Sequence, residues 1–205
     1  MQKPYLVGIS GSSGSGKTTF INAIKAQFSG QQLNVFSLDN YYKSKEEQLI
    51  DVKGIHNFDL PTSIDVQKLK TDLENLINWQ PIYYTEYNFN NPEKSAQITT
   101  FHPAPIILIE GLFVFHYEFI REALDLKVFL HTNANTSLIR RIRRDQVERN
   151  YPLDDVLYRY EHHVMPAFRT FIEPYREDCD IVINNNHHYD NGLKILTAYL
   201  NQLVK

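Results

Sequence analysis

The stretch Gly11-Ser12-Ser13-Gly14-Ser15-Gly16-Lys17-Thr18 constrains this chain more than any other. A glycine, four intervening residues and then Gly-Lys-Thr is the spacing of a phosphate-binding loop, or P-loop. Each residue type has a physical task. Glycine lets the backbone turn tightly and approach an anion with no Cβ in the way. The successive N–H groups of the loop, those of Ser12, Ser13 and Ser15 among them, point inward as an anion nest. The helix that follows adds the positive end of its dipole. Lys17 is placed to reach β- and γ-phosphates and the Thr18 hydroxyl to sit on Mg²⁺, with Thr19 completing the phosphate-binding run.

The flanks fit the motif. Tyr5 to Ser10 is a short apolar run, as a buried parallel strand requires. Thr19 to Phe28 carries Phe20, Ile21, Ile24 and Phe28 at helical spacing, on one face. A flexible Gly/Ser linker would have neither flank.

A chain of 205 residues is long enough for one domain with a sizeable core. Its net charge of −3 gives no general attraction to nucleic acid. The single cysteine, Cys179, excludes an internal disulfide framework and a thiolate zinc site. No apolar run is long enough to span a membrane, since Pro105 to Phe115 is short and contains Glu110. Met1-Gln2-Lys3-Pro4 leads straight into the first strand and leaves no room for a signal peptide, so a cytoplasmic protein is expected.

Along the chain, strands alternate with helices, which predicts an α/β doubly wound parallel sheet of about five strands. Leu33 to Leu38 reads as the second strand and delivers Asp39-Asn40-Tyr41-Tyr42 at its carboxyl end, the edge where such sheets bind ligands. Lys43 to Pro61 is polar and irregular. Asp51-Val52-Lys53-Gly54 within it matches a switch element of GTPases by coincidence, because no apolar strand precedes it and no Asn-Lys-x-Asp is present to read guanine. Ser63 or Asp65 can cap a helix over Val66 to Trp79, with Leu69, Leu73, Leu76 and Ile77 inward.

Aromatic and β-branched residues on either side of an Asn-Asn-Pro turn make 81–102 a β-hairpin arm outside the main sheet. Pro105 to Gly111 is a buried strand that aims Glu110 at the metal region of the P-loop. Leu126 to Leu130 and Asp180 to Ile183 are the last two strands, and Gly192 to Leu203 the closing helix. Between them, 134–172 forms a helical lid region. Ala134 to Asn150 is an arginine-rich helix suited to meeting transition-state charge. Asp154 to Ile172 is a second helix, kinked or divided by Pro166. The eight histidines form no metal signature and read as surface or cap residues.

Taken in order, these pieces resemble the uridine kinase (uridine–cytidine kinase) family, within the P-loop kinases that include phosphoribulokinase. The resemblance runs through Gly8-Ile9-Ser10-Gly11, Asp39-Asn40-Tyr41-Tyr42, Asn57-Phe58-Asp59, Ile109-Glu110-Gly111, Arg140-Arg141-Ile142-Arg143-Arg144-Asp145, Glu148-Arg149, Glu173-Pro174 and Cys179-Asp180-Ile181-Val182-Ile183. It implies transfer of the γ-phosphate of ATP or GTP to the 5′-hydroxyl of uridine or cytidine, in pyrimidine salvage, with Mg²⁺ as cofactor. A small-molecule nucleoside is the implied partner; a homo-oligomer is left open.

By the same resemblance Asp39 is the general base and Asp59 holds the ribose 2′- and 3′-hydroxyls. Thr18 and Glu110 form the metal shell, Arg141, Arg144 and Arg149 are lid and substrate arginines, and Tyr87 and Phe89 line the base pocket. The departures fall in the base-reading set. Pro92 stands where the family has histidine, Tyr151 where it has arginine, Arg159 where it has glutamine, and Asn184-Asn185-Asn186 where it has Pro-Arg-Gly. Two other readings stay open: a kinase of another ribose-bearing or polyol metabolite, and a nucleotide-binding regulator without turnover. An acceptor-side base at Asp39 argues against the regulator.

Overall fold

The computed structural model of the protein describes residues 3–85 and 98–204. Five parallel strands form the sheet: β1 (Tyr5–Ser10), β2 (Leu33–Ser37), β5 (Ile106–Glu110), β6 (Leu126–His131) and β7 (Ile181–Asn184). Their spatial order is β2-β5-β1-β6-β7. The antiparallel pair β3 (Ile82–Thr85) and β4 (Ile98–Phe101) stands apart as a second sheet. Its turn, and with it Tyr87, Phe89 and Pro92, lies outside the described residues.

The central strands are apolar throughout because helices cover both faces of the sheet. Successive side chains alternate between the faces. Leu6, Ile107 and Ile109 join a core with Leu69, Leu73 and Leu76 of α2 (Val66–Ile77) and Ile120 of α3 (Glu118–Ala123). Val7, Ile9, Ile106 and Leu108 join the opposite core. That core takes in Phe20, Ile21 and Ile24 of α1 (Lys17–Lys25) and Leu196 and Leu200 of α7 (Asp190–Leu203). The register aligns Ile9 and Ser37 with Glu110, so the ends of β1, β2 and β5 come level.

The elements agree with the sequence reading in kind and differ at their ends. Asp65 caps α2 through the Lys68 N–H, as its side-chain chemistry favours. The first helix is shorter than expected, ending at Lys25. The six-residue α3 leaves no mark in the sequence, being too short to show a helical period.

The arginine-rich helix is α4 (Ala134–Glu148), capped by the Asn133 side chain and followed by Asn150 at φ 58, a left-handed position that asparagine tolerates. The second lid helix is divided, as expected near Pro166, into α5 (Leu153–Arg159), a π-helical turn (Tyr160–Val164) and α6 (Met165–Phe171). Proline has no N–H to give the carbonyl four residues back, and its ring crowds that carbonyl, so the turn ahead of it widens.

One expectation needs correction. The sequence places the histidines at the surface or at caps, but His163 is buried and sits 2.8 Å from the Asp51 carboxylate. A buried ring with a carboxylate partner is a structural joint, which adjacency in sequence does not reveal.

Candidate active site

All five strands of the sheet deliver a polar residue to its carboxyl edge, where open α/β sheets bind their ligands. The P-loop follows β1, and Gly14 and Gly16 there have φ of 80° and 92°, conformations that favour glycine. A Cβ on Gly16 would lie 2.6 Å from the Asn185 side chain. Asn185 follows β7, is buried, and donates from Nδ2 to the Ser15 carbonyl at 2.8 Å. Thr132, after β6, donates to the same carbonyl at 3.2 Å. These two residues brace the loop from behind. Asn186 and Asn184 extend the bracing: Asn186 Oδ1 accepts from the Asn133 N–H, and Asn184 Oδ1 from the Asn186 N–H.

Lys17 folds over the loop and donates to the Gly11 and Ser12 carbonyls at 2.8 and 3.1 Å. Burial lowers its pKa to about 8, against the attraction of Glu110 and Asp39. Asp39 sits in the short 3₁₀ turn after β2, and Glu110 at the end of β5 is hydrogen-bonded by the Ser37 hydroxyl. The two carboxylates feel each other. Burial raises the Asp39 carboxyl, against Lys17, Arg149 and Arg144. Burial and the Asp39 charge raise Glu110, against Ser37 and Lys17. The Asp39 charge beside Glu110 is a repulsion that a cation between them would relieve. The donors at hand, two carboxylates with the Ser37 hydroxyl, are all hard oxygens. Mg²⁺ takes that kind of site, with one or two carboxylates completed by substrate phosphates and water.

The lid arginines gather on one residue. Asp145 is almost fully buried and pairs with Arg141 at 3.2 Å, Arg144 at 2.9 Å and Arg149 at 3.5 Å. Arg141 and Arg149 are each four residues from Asp145, so they share its helix face. Arg141 also donates to Ser13 Oγ at 2.7 Å, tying α4 to the P-loop. Arg144 and Arg149 are close enough to Asp39 to draw its pKa down, and burial lowers the pKa of Arg149 itself. Lys17, Asp39, Glu110, Arg144 and Arg149 thus converge. Thr18 and Thr19 lie exposed at the start of α1.

Asp59 lies in the loop 57–63. The Asn57 side chain accepts from its N–H at 2.9 Å, and its neighbour Phe58 packs edge-on against Tyr42 at 6.0 Å. That contact sets the Asp59 loop beside the Asp39 turn. Among the described residues nothing binds the Asp59 carboxylate, so it does not serve as the cap of its own turn. Two of the residues that depart from the family pattern meet each other: the Arg159 guanidinium lies over the Tyr151 ring at 5.4 Å and donates to the His56 carbonyl at 3.2 Å.

Sequence reasoning gave no role to Asp145, Ser37 or Asn185. For Asp145 a signal existed in the i±4 spacing to two arginines. For Ser37 and Asn185 none did, since their partners come from other strands.

The family model for the phosphoribulokinase/uridine kinase family matches residues 6–190. A uridine kinase of Borrelia duttonii is 36% identical over 98% of this chain and 96% of its own length. One from Deinococcus deserti is 31% identical over 98% of each chain. Among solved structures, phosphoribulokinase from Rhodobacter spheroides aligns with a TM-score of 0.62 at 18% identity, covering 90% of this chain and 71% of that one. D-glycerate 3-kinase from Cryptococcus neoformans aligns at 0.61 and 13% identity, covering 90% and 87%. With the P-loop, the two strand-end carboxylates and the arginine helix placed as they are, the chain belongs to the phosphoribulokinase/uridine kinase family.

Proposed function

We propose that the protein is a nucleoside kinase that transfers the γ-phosphoryl group of ATP or GTP to the 5′-hydroxyl of uridine or cytidine, in the cytoplasmic salvage of pyrimidines. The observation that carries this reading is the convergence of Lys17, Asp39, Glu110, Arg144 and Arg149 on one sheet edge. The uridine kinases at 31 and 36% identity support the acceptor class.

In this reading residues 1–205 act as one kinase domain with a hairpin arm, 81–102, and a helical lid, 134–172. The loop Gly11-Ser12-Ser13-Gly14-Ser15-Gly16 with Lys17, Thr18 and Thr19 holds the donor phosphates. Thr18 and Glu110 would hold Mg²⁺, which when bound neutralises charge on the β- and γ-oxygens. Asp39 accepts the proton of the 5′-hydroxyl as its oxygen attacks the γ-phosphorus and the bond to the β–γ bridging oxygen breaks. Arg144 and Arg149 meet the charge redistributed in that step. Arg141, which the resemblance makes a substrate arginine, is bonded to Ser13 and Asp145, and we assign it to positioning the P-loop instead. Asp59 holds the ribose hydroxyls and so aims the 5′-oxygen. Tyr87 and Phe89 of the arm line the base pocket.

A panel of nucleosides and sugar alcohols, assayed for ADP release with Mg-ATP, tests the proposal. Uridine or cytidine should be the best acceptor, and EDTA should silence the reaction. Turnover confined to a non-nucleoside polyol would overturn it.

A further inference from the structure

The segment 49–57 has no chemistry assigned to it, yet it is tied both to itself and to the lid. It closes on itself through an antiparallel bridge between Ile50 and His56 and through the Asn57 N–H on the Leu49 carbonyl at 2.8 Å. Gly54, at φ 77, makes the reversal. Asp51 is its hub. Its Oδ1 accepts from the backbone N–H groups of Lys53 at 2.8 Å and Ile55 at 2.9 Å. Its Oδ2 faces the lid and accepts from Tyr158 Oη at 3.0 Å and His163 Nε2 at 2.8 Å. Burial alone would raise this carboxyl, but the hydrogen bonds from Ile55, His163, Lys53 and Tyr158 prevail and hold it well below the usual range. An ionised carboxylate only accepts, so His163 Nε2 donates. Lys53 adds a cation over the Tyr158 ring at 4.0 Å, and Arg159 holds the His56 carbonyl.

The lid can present both donors only because its helix is interrupted. Residues five apart on an α-helix point about 140° away from each other. Between α5 and α6 the Met165 N–H bonds to the Tyr160 carbonyl, five residues back, in the π turn that precedes Pro166. The extra residue lets i+5 take the place that i+4 has in an α-helix. Tyr158 and His163 therefore reach the same oxygen, with ring centroids 6.0 Å apart. Two residues beyond the loop lies Asp59, linked to it through Asn57.

We propose that Asp51 and His163, with Tyr158, form a latch that registers the acceptor loop against the lid and so positions Asp59 relative to Arg149. They are positioning residues: none of the three touches the reacting atoms. The proposal rests on the nucleoside-kinase reading for its effect on turnover, but not for the latch itself.

Two measurements test it. In steady-state kinetics, Asp51→Asn and His163→Leu should raise KM for the nucleoside about ten-fold, with kcat and the nucleotide KM nearly unchanged. In an Asp59→Asn background neither change should add a further rise, because the contact they position is already gone. Penalties that multiply independently, or that fall equally on the nucleotide, would overturn the positioning role. In amide hydrogen exchange, Tyr158→Phe, a mild change at a partly exposed ring, should speed exchange at Lys53 and Ile55. Unchanged protection there would overturn the latch. Exchange needs no substrate, so it still decides the latch if the wild type phosphorylates no nucleoside, a result that would count against the kinase reading alone.

Discussion

At the scale of single residues, Asp39 and Asp59 are assigned different work on one substrate, and their amide variants separate the two. Asp39→Asn keeps the size but cannot take a proton, so kcat should fall heavily while acceptor KM stays close to wild type. Asp59→Asn should chiefly raise acceptor KM, by about ten- to a hundred-fold for a lost charge-assisted hydrogen bond. The penalty should shrink for 2′-deoxy or 3′-deoxy acceptors, which lack part of that contact; equal penalties on a matched pair would remove Asp59 from the site. Lys17 offers a pH test. Its pKa, lowered to about 8 by burial, must rise when polyphosphate sits beside it. Nucleotide binding should then take up a proton above pH 8, and affinity should fall as pH rises further. Calorimetry in two buffers of different ionisation enthalpy reads that proton directly. Lys17→Ala should lose both the proton uptake and phosphoryl transfer, while remaining folded because the residue lies outside both hydrophobic cores.

At the scale of elements, α4 carries its arginines around a buried acid. Asp145 binds three of them at once and fixes where they point. Arg144→Ala and Arg149→Ala should lower kcat more than they raise acceptor KM, which marks an interaction made in the transition state. A change in KM alone would make α4 a binding surface. The loop after β7 makes a second element-level test. Asn185 bonds the Ser15 carbonyl from a buried position, so Asn185→Ala should destabilise the protein by about 1–3 kcal/mol in chemical denaturation. It should also raise nucleotide KM, because the carbonyl it releases belongs to the P-loop.

At the scale of the whole molecule, the P-loop, β2, β5 and the lid are separate in sequence and meet in the fold, where β2 pairs with β5 and Arg141 bonds Ser13. Ligand binding to the folded state alone stabilises it by about 2.7 kcal/mol at a hundred times Kd. For a chain of this length that corresponds to a rise in Tm of roughly 5–10 °C. Mg-ATP should produce a shift of this size in a thermal melt of the wild type and almost none in Lys17→Ala. A similar shift in the variant would place the nucleotide elsewhere.

Local features are written in adjacent residues. A strand, a glycine-rich loop and a helix are read from adjacent residues, so the P-loop was legible complete. Asp39 and Glu110 were legible because each ends an apolar run, and a parallel sheet brings such ends to one edge whatever its strand order. The antiparallel pairing of β3 with β4 was legible for a different reason, two aromatic and β-branched runs lying close together in sequence with turn residues between them. The tertiary structure alone decided what depends on strand order and helix docking. Ser37 meets Glu110 because β2 lies beside β5, and Asn185 reaches Ser15 across 170 residues of chain. His163 looked like one of several surface histidines until the π turn ahead of Pro166 swung it onto Asp51, 112 residues away. Periodicity records which face of an element is buried. It carries no information about which distant side chain that face will meet.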